Sequence, residues 1–130
     1  MLLRPVNPKA LVAPRGFNHG MRGQGELLFV AGQVGCDATG RVPSDDFAAQ
    51  FALALDNLLA VVAAAGGQPE SVARMTVYVT DKQAYLQSTK ALGELWRARL
   101  GKHYPAMALV EVSGLVEDRA LVEIEATALL

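Results

Sequence analysis

At 130 residues the chain has the length of one ordinary domain, so a single unit over residues 1–130 with one core is expected. Its net charge of -1, with Lys and Arg scattered along the chain, excludes the basic footprint of a nucleic-acid binder and the polybasic face of a membrane-surface protein. The one cysteine, Cys36, permits neither an internal disulfide nor a multi-cysteine metal site, which suits a reducing cytoplasm.

In chain order, residues 1–16 are broken by Pro5, Pro8 and Pro14 and read as an extended loop without the apolar run of a signal peptide. Residues 26–31, ELLFVA, form a short apolar run between glycines and read as a strand. The stretch CDATG at 36–40 has turn chemistry, and Ser44, Asp45 and Asp46 offer N-caps for a long helix. In that helix Phe47, Phe51, Leu55, Leu58, Val62 and Ala65 recur at helical spacing before Gly66, Gly67 and Pro69 stop it. No apolar run is expected to span a bilayer, because the most apolar stretch, 53–65, carries Asp56 and Asn57.

Residues 74–80 alternate, with Met75, Val77 and Val79 on one side and Arg74, Thr76 and Tyr78 on the other, which predicts a strand. Asp81 caps a second helix whose stripe is Tyr85, Leu92, Leu95, Trp96 and Leu100, ending at Gly101. The charges around its end, Arg97, Arg99, Lys102 and His103, complement the helix dipole, with His103 solvated. Two strands follow, 106–112 and 120–129. Each helix has one apolar stripe, so both should pack on one face of a mixed sheet. In the first of the two last strands, Ala106, Ala108, Val110 and Val112 read as the helix-facing row and Met107, Leu109 and Glu111 as the opposite one. In the second, Val122, Ile124, Ala126 and Ala128 suit the core while Leu121, Glu123, Glu125, Thr127 and Leu129 face away. A far face of such mixed character, in a chain that is 52% hydrophobic, predicts association through the sheet.

Several segments together resemble the Rid/YjgF family: LFVAGQ at 28–33, Gln50 with LDN at 55–57 and AAAG at 63–66, VYVTD at 77–81, YPA at 104–106 and VEIE at 122–125. They run in order and at matching spacing from about Gly16 to the C-terminus. The resemblance implies a chorismate-mutase-like α+β fold, a mixed sheet with two helices on one face, and a homotrimer with ligand sites in inter-subunit clefts. It also implies hydrolysis of reactive 2-imino or 2-enamino acids to a keto acid and ammonia, with no cofactor. The family's carboxylate-gripping arginine follows the Pro-Ala pair, where this chain has Met107, a thioether that cannot make a charge-assisted pair. Leu109 stands at the family's cysteine, Thr89 at its helix asparagine and Phe17 at its pocket tyrosine. Its water-activating glutamate matches Glu123, and the glycine whose N–H lines its pocket matches Gly32.

The expectation is therefore a deaminase-like hydrolase with altered substrate choice, acting on a small imine or enamine in the cytoplasm with Glu123 as the acid/base group. The rival is a trimer that binds a ligand or a protein without chemistry, which the loss of the arginine favours. A ribonuclease, an activity also attached to the family, is disfavoured by the lack of a basic stripe or aromatic platform. His19, glycine-flanked and beside Asn18, is either a ligand donor or a surface loop residue. Arg15 and Arg22 read as solvated, although either could replace the lost anchor if the ligand is an acid. Glu111 and Glu125 read as structural carboxylates, and Trp96 and the tyrosines as packing residues. Two distant histidines without Cys or Asp at ligand spacing give no metal site.

Overall fold

A computed structural model describes residues 3–130. Two short strands, β1 (Arg4–Val6) and β2 (Gly20–Arg22), pair antiparallel, so the N-terminal loop is partly a ribbon. The main sheet holds β3 (Leu27–Val34), β4 (Val72–Val79), β5 (Ala106–Glu111) and β6 (Val122–Leu129) in the order β3-β6-β4-β5. Only β4 and β5 run parallel; the other pairs are antiparallel. The helices are α1 (Phe47–Ala64), α2 (Lys82–Gln87) and α3 (Thr89–Leu100). This is the expected mixed α+β arrangement, with one apolar core between the helices and one face of the sheet.

Asp46 wins the competition to cap α1, accepting the Ala49 N–H at 2.9 Å, while Ser44 Oγ accepts from Asp46 N and Asp45 pairs with Arg119. The stripe Phe47, Phe51, Leu55, Leu58 and Val62 is buried as its spacing predicts, whereas Ala65 lies just past the helix and is exposed. With 18 residues and a mean hydropathy of 1.7, α1 is apolar enough to cross a bilayer by length and composition, which the sequence reading did not anticipate. In the fold its stripe covers the sheet, Asp56 pairs with Arg99 at 2.6 Å, and Asn57 Nδ2 donates to the carbonyls of Val34 and Cys36.

The expected second helix is two helices. Asp81 does cap α2, accepting from Gln83 N at 2.9 Å, but the chain breaks at Ser88, whose hydroxyl donates back to the Ala84 carbonyl. A larger correction concerns β5. Its parallel register sets Met107 beside Met75 and Leu109 beside Val77, so Met107 and Leu109 pack toward the helices with those buried residues. Ala108 and Val110 lie on the far face, and Val110 is exposed. Glu111, on the helix side, accepts the Lys82 N–H at the start of α2. The β6 assignment holds from Val122 to Leu129; Leu121 precedes the strand and packs against the core. Leu27 and Phe29 of β3 join Val110 as exposed apolar side chains on the far face, Phe29 being 73% exposed.

Candidate functional site

On the far face, β3 runs three residues beyond the expected strand, and the extension contains a bulge. Pairing goes from Val30–Ala126 to Gln33–Ile124, so Ala31 and Gly32 together oppose Glu125. Across this bulge lies the Glu123 carboxylate. A Cβ on Gly32 would collide with the Glu123 carboxylate, so only glycine leaves room for that side chain to lie flat against the backbone. Glu123 is half-buried and makes no hydrogen bond or ion pair with the described residues. Its neighbour Glu125 is engaged, accepting the Tyr78 hydroxyl at 2.5 Å. That bond, aided by desolvation and by the charges of Glu125 and Glu123, raises the Tyr78 pKa against the opposing charge of Arg74. A carboxylate without a partner thus lies over a stretch of backbone that strand pairing does not fully use.

On the other side, a cavity of about 440 Å³ opens between the N-terminal loop, the α2–α3 break and β5. Phe17, Tyr85, Thr89, Trp96, Met107 and Leu109 are among its walls, and Arg15 is at its loop side. The size is that of a small-molecule pocket and the lining is mostly apolar, with Tyr85, Thr89 and Tyr104 among its residues. Trp96 and Tyr104 stack with ring centroids 5.9 Å apart, and Trp96 Nε1 donates to the His103 carbonyl. The loop is sewn to the start of β5: Asn18 N donates to the Pro105 carbonyl at 3.1 Å and Asn18 Nδ2 to the Tyr104 carbonyl at 2.6 Å.

Four expected site residues, Phe17, Thr89, Met107 and Leu109, therefore share the cavity. Gly32 and Glu123 meet each other on the far face instead. His19 joins neither group. Its Nε2 lies 2.7 Å from the Val12 carbonyl, which can only accept, so Nε2 carries the proton, and its ring stands edge-on to Phe17 at 5.1 Å. His103, expected to be solvated, has Nε2 2.7 Å from the Val72 carbonyl. Sequence reasoning missed Tyr85, Trp96 and Tyr104 as cavity walls, because aromatic residues on helical stripes or next to prolines read as packing. Gln50, at 1% exposure, was noted only for its resemblance; it donates to the carbonyls of Ser44 and Arg119 and accepts from Leu121 N, fixing the turn into β6. Among the described residues no three His, Cys, Asp or Glu side chains converge as a metal site would require.

A mixed sheet with helices on one face, an unpartnered glutamate over a bulge glycine and an aromatic cavity at β5 define a small α+β protein with a cavity of small-molecule size. The chain belongs to the endoribonuclease L-PSP family, the Rid/YjgF family, whose model matches residues 7–130. It is 36% identical over 105 residues to a RutC family protein of Pyrococcus horikoshii, covering 80% of this chain and 79% of that one. It is 35% identical over 105 residues to the 2-iminobutanoate/2-iminopropanoate deaminase of Escherichia coli K12, covering 80% of each. Its fold matches the crystal structure of a Rid-family protein of unknown function from Yersinia pestis with a TM-score of 0.88 at 32% identity, over 100% of both chains.

Proposed function

We propose that this protein is an imine or enamine deaminase acting as a homotrimer, with Glu123 of one copy facing the cavity of another. The observation carrying this reading is the division of the site. Within one chain the cavity opens on the helix side and at the β5 edge of the sheet while the Glu123–Gly32 pair lies on the far face toward β3, so a complete site needs a second copy. The exposed Leu27, Phe29 and Val110 around Glu123 support association through that face. The reaction class follows from the family and from the activity named for the Escherichia coli relative.

In this reading water adds to the carbon of the C=N bond, Glu123 taking a proton from the water as it attacks. The carboxyl passes that proton to the imine nitrogen, giving a carbinolamine; it then takes the hydroxyl proton as the C=O forms and delivers it to the departing nitrogen, so the C–N bond breaks and ammonia and a keto product leave. The Gly32 N–H helps to hold the substrate. Met107 and Leu109 replace polar family positions with an apolar wall, which shifts choice away from the smallest imino acids. The free thiol of Cys36 suits work in the cytoplasm.

Imines generated in situ by an amino-acid oxidase, with ammonia release as the readout, test this directly. Glu123→Gln should lower turnover about 10²–10⁴-fold while sedimentation still gives a trimer and the melting temperature holds, since no hydrogen bond is lost. Unchanged turnover, or a monomer at micromolar concentration for the unaltered chain, would sink the proposal. The second reading, a trimer that binds a ligand without turning it over, rests on Met107 in the place of the family's arginine. Retained ligand binding with no turnover in the unaltered protein would put that reading ahead.

A further inference from the structure

We propose that Arg15 is the carboxylate anchor of the cavity and that the cavity takes 2-oxo or 2-imino acids with bulky apolar or aromatic side chains. This deepens the deaminase reading and rests on it for the imine, but not for the acid. Arg15 is the one charged side chain among the cavity-lining residues, and no Asp or Glu lines the cavity with it. Among the described residues it makes no hydrogen bond or ion pair, so its whole donor fork is available. The Arg15 side chain is exposed, but the backbone that carries it is fixed at the cavity. Gly16 turns the chain with φ at +76°, and two residues on Asn18 is clamped to the carbonyls of Tyr104 and Pro105. Arg15 thereby lies at the loop side of the cavity, on the same cavity as Met107, which offers nothing to a carboxylate.

The rest of the cavity describes the other end of the ligand. Phe17, Phe51, Tyr85, Trp96 and Tyr104 all contribute to its walls. The cavity of about 440 Å³ lies in the range of small-molecule pockets and is larger than a three-carbon acid needs. A three-carbon imino acid would leave most of it to water. The tyrosine and threonine hydroxyls remain to hold an oxo or imino group. A second guanidinium reinforces the sign: Arg97 folds back over Gly93, a lining residue, with Nη1 3.3 Å from the position of a Cβ there. Neither Glu94 nor any other acid among the described residues is ion-paired with Arg97. Within one copy, Arg15 on the cavity and Arg97 beside its Gly93 wall, with no lining carboxylate, favour an apolar anion; the Glu123 of a neighbouring copy is the one acid the proposed site adds.

Trp96 is the sole tryptophan and forms part of the wall, so intrinsic fluorescence reports occupancy without any need for turnover. The probes are 3-phenyl-2-oxopropanoate, its primary amide and 2-oxopropanoate. The phenyl acid should bind at least about 10-fold more tightly than either of the other two. Arg15→Gln should weaken the acid about 10–100-fold, the worth of one charge-assisted pair, and leave the amide unchanged, while Arg15→Lys retains part of the effect. Equal affinity of acid and amide in the unaltered protein, or Arg15→Gln within about twofold of it for the acid, overturns the anchor. Turnover separates the two proposals. Acid binding that needs Arg15, without imine hydrolysis, removes the deaminase reading and keeps the anchor. Imine hydrolysis whose kcat/KM ignores Arg15→Gln removes the anchor and keeps the deaminase.

Discussion

Gln50→Met tests whether the turn that delivers Glu123 is held by one buried amide. Gln50 sits on α1 at 1% exposure, and its side chain satisfies the carbonyls of Ser44 and Arg119 at 2.7 and 3.0 Å and the Leu121 N–H at 2.8 Å. Methionine keeps the length and lack of branching, so little packing is lost, but it neither donates nor accepts usefully. Nor can the helix shift to compensate, because its backbone rests directly on Gly35, where an added Cβ would lie 2.5 Å from the Gln50 carbonyl oxygen. Three hydrogen bonds at about 1 kcal/mol each give a loss of about 3 kcal/mol. For a chain of 130 residues that lowers the melting temperature by about 10 °C. Urea unfolding at fixed protein concentration, with the slope compared between variants, measures the loss and separates it from changes in assembly. A loss below about 1 kcal/mol would mean that water replaces the amide at all three groups and that the turn is held by its other contacts.

Gly32→Ala should act on chemistry rather than stability. The added methyl meets the flexible end of Glu123, which swings away, so turnover should fall at least about 10²-fold with little change in melting temperature. Full activity in Gly32→Ala would show that the carboxylate need not lie over the bulge. For Tyr78, the bond to Glu125 raises the folded-state pKa, so its contribution to stability is complete below the unfolded value, about 10, and fades as pH rises through the folded one. A spectrophotometric titration should show a late tyrosinate step that Tyr78→Phe removes; an alkaline limb identical in both proteins refutes the assignment.

Legibility from sequence followed the number of buried faces each segment has. The alternation of β4 and β6 could be read directly, because one row of each is large and apolar and the other carries Arg74, Tyr78, Glu123 or Glu125. In β5 both rows are apolar, so composition alone leaves the face open. The parallel register with β4 decides it, and that register is set by a crossover through two helices. The break at Ser88 carries no glycine or proline signal and arises from a hydroxyl turning back on the helix. The Glu123–Gly32 pair was nominated by resemblance, but the bulge that makes it possible appears only when β3 and β6 are aligned. The cavity was half legible. Phe17, Thr89, Met107 and Leu109 were named, yet its aromatic walls come from segments distant in sequence that meet only when the loop docks on β5.

An open four-stranded sheet ends in two strands whose outer backbone groups invite further strands, the usual route to fibrous aggregates. Here both borders are spoiled. The outer border of β3 is buckled at Ala31 and Gly32, where the Gln33 side chain also takes up the Ala31 carbonyl. The outer border of β5 is occupied at its start by Asn18, bridged to Ala106 in parallel fashion. Neither border offers a straight ladder to a second chain, which leaves the flat face with Leu27, Phe29 and Val110 for the contacts of the proposed trimer. The same kink that makes room for a glutamate therefore also keeps the sheet from growing sideways.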